Sequence, residues 1–229
     1  MQIRTMQRRE KKYLIGKHEA ALILGRVKAT LRADPHNGPT GYKVRSLYFD
    51  TVFDEDFWDR INGLHDRRKI RLRLYPPNLD IAHLEMKEKS GQEQRKRSLR
   101  MNKKDAETMA GGKTDVLLGY ENDFATELYL TMNREGYVPR GISEYNRMAF
   151  FGIANDIRIT FDSSLRGAVT SEALFKENLP ASPVLSSEDV VLEVKYKNFL
   201  LGYVRDILGD NCKIEQAVSK YSMGREMVL

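Results

Sequence analysis

The chain has 229 residues, 41% hydrophobic and 31% charged, with 38 Lys and Arg against 32 Asp and Glu, for a net charge of +6. That length suits one large globular domain or two small ones, and with no linker, repeat or low-complexity tract to mark a boundary the chain is read as a single domain over residues 1–229. One cysteine, Cys212, excludes an internal disulfide framework and fits a reducing, cytoplasmic compartment.

The chain opens with MQIRTMQRREKKYLI, which is basic but lacks the apolar stretch of a signal peptide. No later run approaches the ~20 apolar residues that span a bilayer, so no transmembrane segment is expected. Residues 6–15 form the first predicted strand, and 17–32 a helix with Ala20, Ala21, Leu24, Val27 and Leu31 at helical spacing. A loop over 34–41 leads to a strand at 42–50, and Trp58, in the segment 54–63, is expected to pack a helix onto the sheet. Residues 67–75 alternate: Ile70, Leu72 and Leu74 take one side, Lys69, Arg71 and Arg73 the other, until Pro76 and Pro77 end the strand. The pattern repeats over 81–89, with Leu84 and Met86 opposite Glu85, Lys87 and Lys89. Ser90 and Gly91 make a turn, after which Arg95, Arg97 and Leu99 continue the same spacing.

Helices are predicted at 103–110 and 123–135, strands at 143–151 and 156–163, and a Pro-containing loop at 177–189. The last strand, 190–196, sets Val191, Glu193 and Lys195 against Val190, Leu192 and Val194, and helices follow at 200–208 and 220–228. The reading is α+β: an eight-stranded antiparallel β-barrel with helices packed outside.

Several strands pair an apolar face with a densely cationic one: Lys69/Arg71/Arg73, Lys87/Lys89 and Arg95/Arg97, then Arg147, Arg158 and Lys195. If the apolar faces point into a closed barrel, the cations are a solvated outer surface. If helices cover the apolar faces from outside, the cations line the interior. Like charges opposite one another on neighbouring strands repel, so such an interior calls for a polyanion. Glu10, Glu85, Asp162 and Glu193 fall among the cations, where they either hold a divalent metal or pair with an adjacent Arg or Lys. Forked guanidinium groups and compact ammonium groups spread along a line suit an extended phosphate chain better than one small ester.

RREKKY at 8–13, RSLYFDT at 45–51, RRKIRLRLY at 67–75 and LEMKEK at 84–89 resemble the VTC polyphosphate polymerase domain. So do YNR at 145–147, RITFD at 158–162, LEVK at 192–195 and SKY at 219–221, all in family order. That family belongs to the triphosphate tunnel, or CYTH-like, superfamily, whose eight-stranded barrel encloses a basic tunnel. The resemblance therefore selects the interior arrangement and implies transfer of the γ-phosphate of ATP onto inorganic polyphosphate, with Mn²⁺ or Mg²⁺ as cofactor. Carried over by position, Lys12, Arg71, Arg73, Lys87, Arg147 and Lys220 are the catalytic cations, and Arg158 and Lys195 also grip phosphate. Lys89, Arg95 and Arg97 extend the basic wall, and Glu193 and Glu10 are the metal ligands.

The hydrolytic relatives open with Glu-x-Glu-x-Lys, whereas this chain has Arg8-x-Glu10-x-Lys12, a change that weakens a second metal site and favours chain extension. Arg95 stands where the family leads one to expect Lys. The alternatives are a triphosphatase releasing orthophosphate and a domain that binds polyphosphate without turning it over. Nucleic acid ranks last, because the cationic faces carry almost no stacking aromatics apart from Tyr75 and Tyr145. The four histidines are scattered, with no metal-pair or triad spacing; His83 shares the Glu85/Lys87 face. Arg71→Ala or Lys220→Ala is expected to abolish synthesis without unfolding the chain.

Overall fold

A computed structural model of the chain describes residues 8–91, 93–209 and 220–221. The strands are β1 (Arg8–Gly16), β2 (Arg32–Ala33), β3 (Tyr42–Thr51), β4 (Asp66–Tyr75), β5 (Asn78–Ser90), β6 (Glu93–Asn102), β7 (Tyr137–Phe151), β8 (Arg158–Ala168), β9 (Ser182–Pro183) and β10 (Asp189–Lys197). The helices are α1 (Lys17–Thr30), α2 (Glu55–Ile61), α3 (Lys103–Ala110), α4 (Asp123–Arg134) and α5 (Gly202–Leu208). The class is α+β with antiparallel pairing, as the sequence predicts, and the eight long strands are the eight expected. Among the described residues no helix is long and apolar enough to cross a membrane.

The described residues divide into two compact units, those within 1–42, 145–165 and 185–219 in the first and those within 43–144, 166–184 and 220–229 in the second. In the first, the strand order is β1-β10-β8-β7, with β2 on β7. Tyr13, Ile15, Ile159, Phe161, Leu192 and Val194 alternate onto one sheet face and are buried with Ile23 and Val27 of α1 and Val204 and Ile207 of α5. The helices therefore cover the apolar face, and the opposite face carries Glu10, Lys12, Arg158, Asp162, Glu193 and Lys195.

The second unit repeats the arrangement with the order β7-β3-β4-β5-β6. Leu47, Phe49, Ile70, Leu72, Leu74, Leu84 and Met86 share a core with Met109 of α3 and Leu128 and Met132 of α4. The side chain of Asn102 accepts the Asp105 N–H at 2.9 Å and that of Asn122 the Phe124 N–H at 2.8 Å, which starts α3 and α4 over this face. Of the two arrangements open to the sequence, each unit adopts the one with helices on the apolar side, α1 and α5 in the first and α3 and α4 in the second, while Phe57 of α2 packs with Tyr48 and Tyr221.

Several boundaries moved. The first helix stops at Thr30, and Arg32 and Ala33 pair with Phe151 and Phe150. β7 begins at Tyr137, six residues before the predicted 143, running through Pro139 and Gly141, residues that argue against a strand when read locally. In α2 the packing aromatic is Phe57, which is buried; Trp58 is half exposed, edge-on to Phe57 at 5.0 Å. Cys212 and the predicted helix beyond Tyr221 lie outside the described residues, as does the side chain of Arg8.

Candidate functional site

On the charged face of the second unit, hydrogen-bonded register sets side chains in rows across β4, β5 and β6. One row is Lys69, Lys87 and Lys96; the next is Arg71, Glu85 and Ser98; the third is Arg73, His83 and Arg100. Rows repeat every second residue, roughly 7 Å along the strands. β3 adds Tyr48 beside Arg71 and Ser46 beside Arg73.

Glu85 is the hub. Its Oε2 accepts hydrogen bonds from Arg71 Nε at 2.8 Å and stands 3.8 Å from Arg73 Nη1, while Lys96 Nζ donates to Oε1. Burial alone would raise the Glu85 carboxyl, but Arg71 and Arg73, helped by Lys96, outweigh it and bring it down to about 2. The same two guanidinium groups outweigh burial at Tyr48 and hold its phenol below the ordinary range. Arg73 Nε donates to Ser46 Oγ at 3.2 Å, which fixes its direction.

Lys69 Nζ lies over the rings of Tyr48 and Tyr221, at 5.6 and 5.3 Å from their centroids. Tyr221 is buried, tilted against Tyr48 at 4.9 Å, and its hydroxyl donates to Asp50 Oδ2. Asp50 also accepts the backbone N–H groups of Thr51, Asp56 and Phe57, so one carboxylate ties the start of α2 to Tyr221. This anchor carries the backbone of Lys220 to the charged face. Neither Asp50 nor Tyr221 was assigned a role from the sequence, although both fall in the motifs at 45–51 and 219–221.

β6 corrects the sequence reading. Ser90 pairs with Glu93, so the connection is two residues long, and a β5 position and its β6 partner have opposite parity: Lys87 faces Lys96, and Met86 faces Arg97. Arg95 and Arg97 therefore lie on the helix-covered face and do not extend the basic wall. Arg97 is bound to Glu127 of α4, at 2.6 Å from Nη2 to Oε1, and to Glu88, and stacks on Phe124. Lys96, which alternation from Arg95 passes over, takes the place expected of them. Lys89 does lie on the charged side, opposite Arg67 and Gln94.

Arg45 is fully buried and structural. Its Nε donates to Glu144 at 2.7 Å, and its two Nη groups donate to the carbonyls of Leu174, Lys176 and Glu177.

In the first unit, charges alternate across the ladder: Glu10 faces Lys195 and Lys12 faces Glu193. Lys12 Nζ is 2.9 Å from Glu10 Oε1; Lys195 Nζ is 2.5 Å from Glu193 Oε1 and 3.6 Å from Glu10 Oε2. Arg147 grips Asp162 with Nε and Nη2, both at 2.7 Å, which leaves Nη1 outside the pair. Burial opposes its charge, but Asp162 outweighs burial and raises the guanidinium well above its ordinary value. Arg158 lies over Phe151, with Nη2 3.4 Å from the Tyr42 hydroxyl and 3.8 Å from Asp34.

Among the described residues no group of three or more His, Cys, Asp or Glu gathers as a metal cage. Glu10 and Glu193 are nevertheless two carboxylates already arranged around one cation, the Lys195 ammonium. That donor set fits a Mg²⁺- or Mn²⁺-like ion held by one or two carboxylates and completed by phosphate oxygens.

The family model of the VTC domain matches residues 7–229. A candidate adenylate cyclase from Bacillus halodurans superposes with a TM-score of 0.50 at 11% identity, covering 85% of this chain and 83% of its own. A second, from Vibrio parahaemolyticus, gives 0.46 at 17% over 88% and 83%. A protein from Pyrococcus horikoshii gives 0.48 at 10% over 96% and 97%. The Bacillus halodurans structure shows a shared fold. No curated protein matches the chain.

Proposed function

The chain belongs to the VTC domain family, of the triphosphate-tunnel fold group, and on that premise we propose that it is a polyphosphate polymerase using ATP. A terminal oxygen of the polyphosphate chain attacks the γ-phosphorus of ATP. A new P–O bond forms as the bond from that phosphorus to the β,γ-bridging oxygen breaks, and ADP leaves with the electron pair. Such a transfer asks the protein for alignment and charge neutralisation more than for covalent chemistry.

The observation that carries this reading is the grid on β4, β5 and β6, in which Lys69, Lys87 and Lys96 stand opposite one another and Arg71 and Arg73 flank them. A row of three ammonium groups repels itself unless an anion lies across it. Glu85 supplies negative charge to Lys96, Arg71 and Arg73, and an extended phosphate chain would displace them from the carboxylate and add its own charge along the row. In this reading Arg71, Arg73 and Lys87 neutralise the transferring phosphate, Lys89 extends their line, and Lys220 is brought to the face by Tyr221. Lys12, Arg147, Arg158 and Lys195 of the other unit bind phosphate oxygens, Arg147 through Nη1.

Glu193 and Glu10 are the residues that would hold a divalent metal. When bound, it would neutralise charge on the phosphates and orient them. The lone cysteine and ATP as donor favour a cytoplasmic location.

The test is to incubate the purified chain with ATP and Mn²⁺ and stain a gel for polyphosphate. A ladder that lengthens with time and is lost in Glu193→Ala supports the polymerase. Orthophosphate alone marks a triphosphatase, and polyphosphate binding without either product marks a binding domain.

A further inference from the structure

The charged face of β4, β5 and β6 changes character at one end. Along β5 it runs Lys87, Glu85, His83, Ile81, and the strand pairing shifts register between Arg73 and Tyr75. Beyond that shift, Tyr75, Asn78, Ile81, His83 and Arg100 line an open cavity of about 310 Å³. The Tyr75 side chain is 40% exposed, and its ring meets His83 edge-on at 6.2 Å and 72°. Among the described residues the His83 ring, apart from its contact with Tyr75, has no hydrogen-bond partner, and Arg100 has no ion pair. Burial lowers the His83 imidazole below its ordinary value, with Lys96, Arg100 and Arg73 acting in the same direction against Glu85.

An exposed aromatic side chain, an imidazole with open hydrogen-bonding capacity and a carboxamide are what a heterocyclic base requires. The volume lies at the small end of ligand pockets, the size for a heterocycle and not for a whole nucleotide. Arg100 stands in one row with His83 and Arg73, so the cavity opens onto the start of the cationic grid.

We propose that this cavity holds the nucleobase of the nucleoside triphosphate donor, stacked on Tyr75 and hydrogen-bonded by His83, with its phosphates running past Arg100 and Arg73 towards Arg71 and Lys96. The proposal rests on the phosphotransferase reading and adds that the grid distinguishes a nucleotide from bare phosphate at one end.

Calorimetric titration of the purified chain with ATP and, separately, with tripolyphosphate tests it. Tyr75→Ala and His83→Ala should each weaken ATP about tenfold, the order expected for loss of one base-stacking or base-directed contact. Tripolyphosphate affinity should not change, and Tyr75→Phe should bind ATP as the unaltered chain does. Equal losses for both ligands, or no loss for ATP, would overturn the nucleobase site while leaving the phosphate grid standing. If the unaltered chain fails to bind tripolyphosphate, the phosphate reading itself falls, and the nucleobase site with it.

Discussion

Glu85→Gln removes the one carboxylate that Arg71, Arg73 and Lys96 share. The native carboxyl titrates at about 2 against an ordinary 4.5. At about 1.4 kcal/mol per pH unit, that depression amounts to about 3 kcal/mol of stability at neutral pH. Because the folded value lies below the unfolded one, the contribution is fully present above pH 4.5 and is lost as pH falls through about 2. Urea unfolding followed by circular dichroism should therefore show the variant about 3 kcal/mol less stable at pH 7, with the gap narrowing between pH 4.5 and pH 2. Tripolyphosphate should restore more stability to the variant than to the unaltered chain, since it supplies the missing negative charge to the same cations. A variant as stable as the unaltered chain at pH 7, or a gap independent of pH, would refute the hub role of Glu85.

Burial and the charge of Asp50 push Asp56 up to about 7, from an ordinary 3.8. The folded value is the higher one, so this contribution is full below pH 3.8 and is lost as pH rises through 7, about 4 kcal/mol in all. Asp56→Asn should lack that loss and melt higher than the unaltered chain at pH 8, read by scanning calorimetry. Lys96→Ala should weaken tripolyphosphate binding about tenfold or more, whereas Arg97→Ala should leave it unchanged; equal effects in calorimetric titration would show the β6 faces to be wrongly assigned. Arg71→Ala should abolish synthesis on the gel and also lower stability in urea by about 1–3 kcal/mol, because Arg71 is bonded to the buried Glu85 carboxylate. Arg45→Ala should cost about 3–5 kcal/mol in the same unfolding assay, since it leaves buried Glu144 without its cation and frees three loop carbonyls.

Local pattern alone determined the α+β class and the eight long strands, because two-residue alternation of Ile70, Leu72 and Leu74 against Lys69, Arg71 and Arg73 follows directly from strand geometry. It also singled out Glu85 and Glu193 as acids among cations. It did not decide which side of each strand the helices cover, since an apolar strand face reads the same whether helices or other strands pack on it. The packing of α3 and α4 on one core and of α1 and α5 on the other settled that. Nor did it determine the face of β6. Parity there depends on the length of the turn after Ser90, and a two-residue connection exchanges Arg95 and Arg97 for Lys96. The start of β7 is hidden for a related reason: Pro139 and Gly141 weaken the local signal, while the strand is held by its neighbours β3 and β8, which no local window contains. The pairing of Arg45 with Glu144 and of Tyr221 with Asp50 belongs to tertiary structure, because these partners lie 99 and 171 residues apart in the chain and only folding brings them within hydrogen-bonding distance.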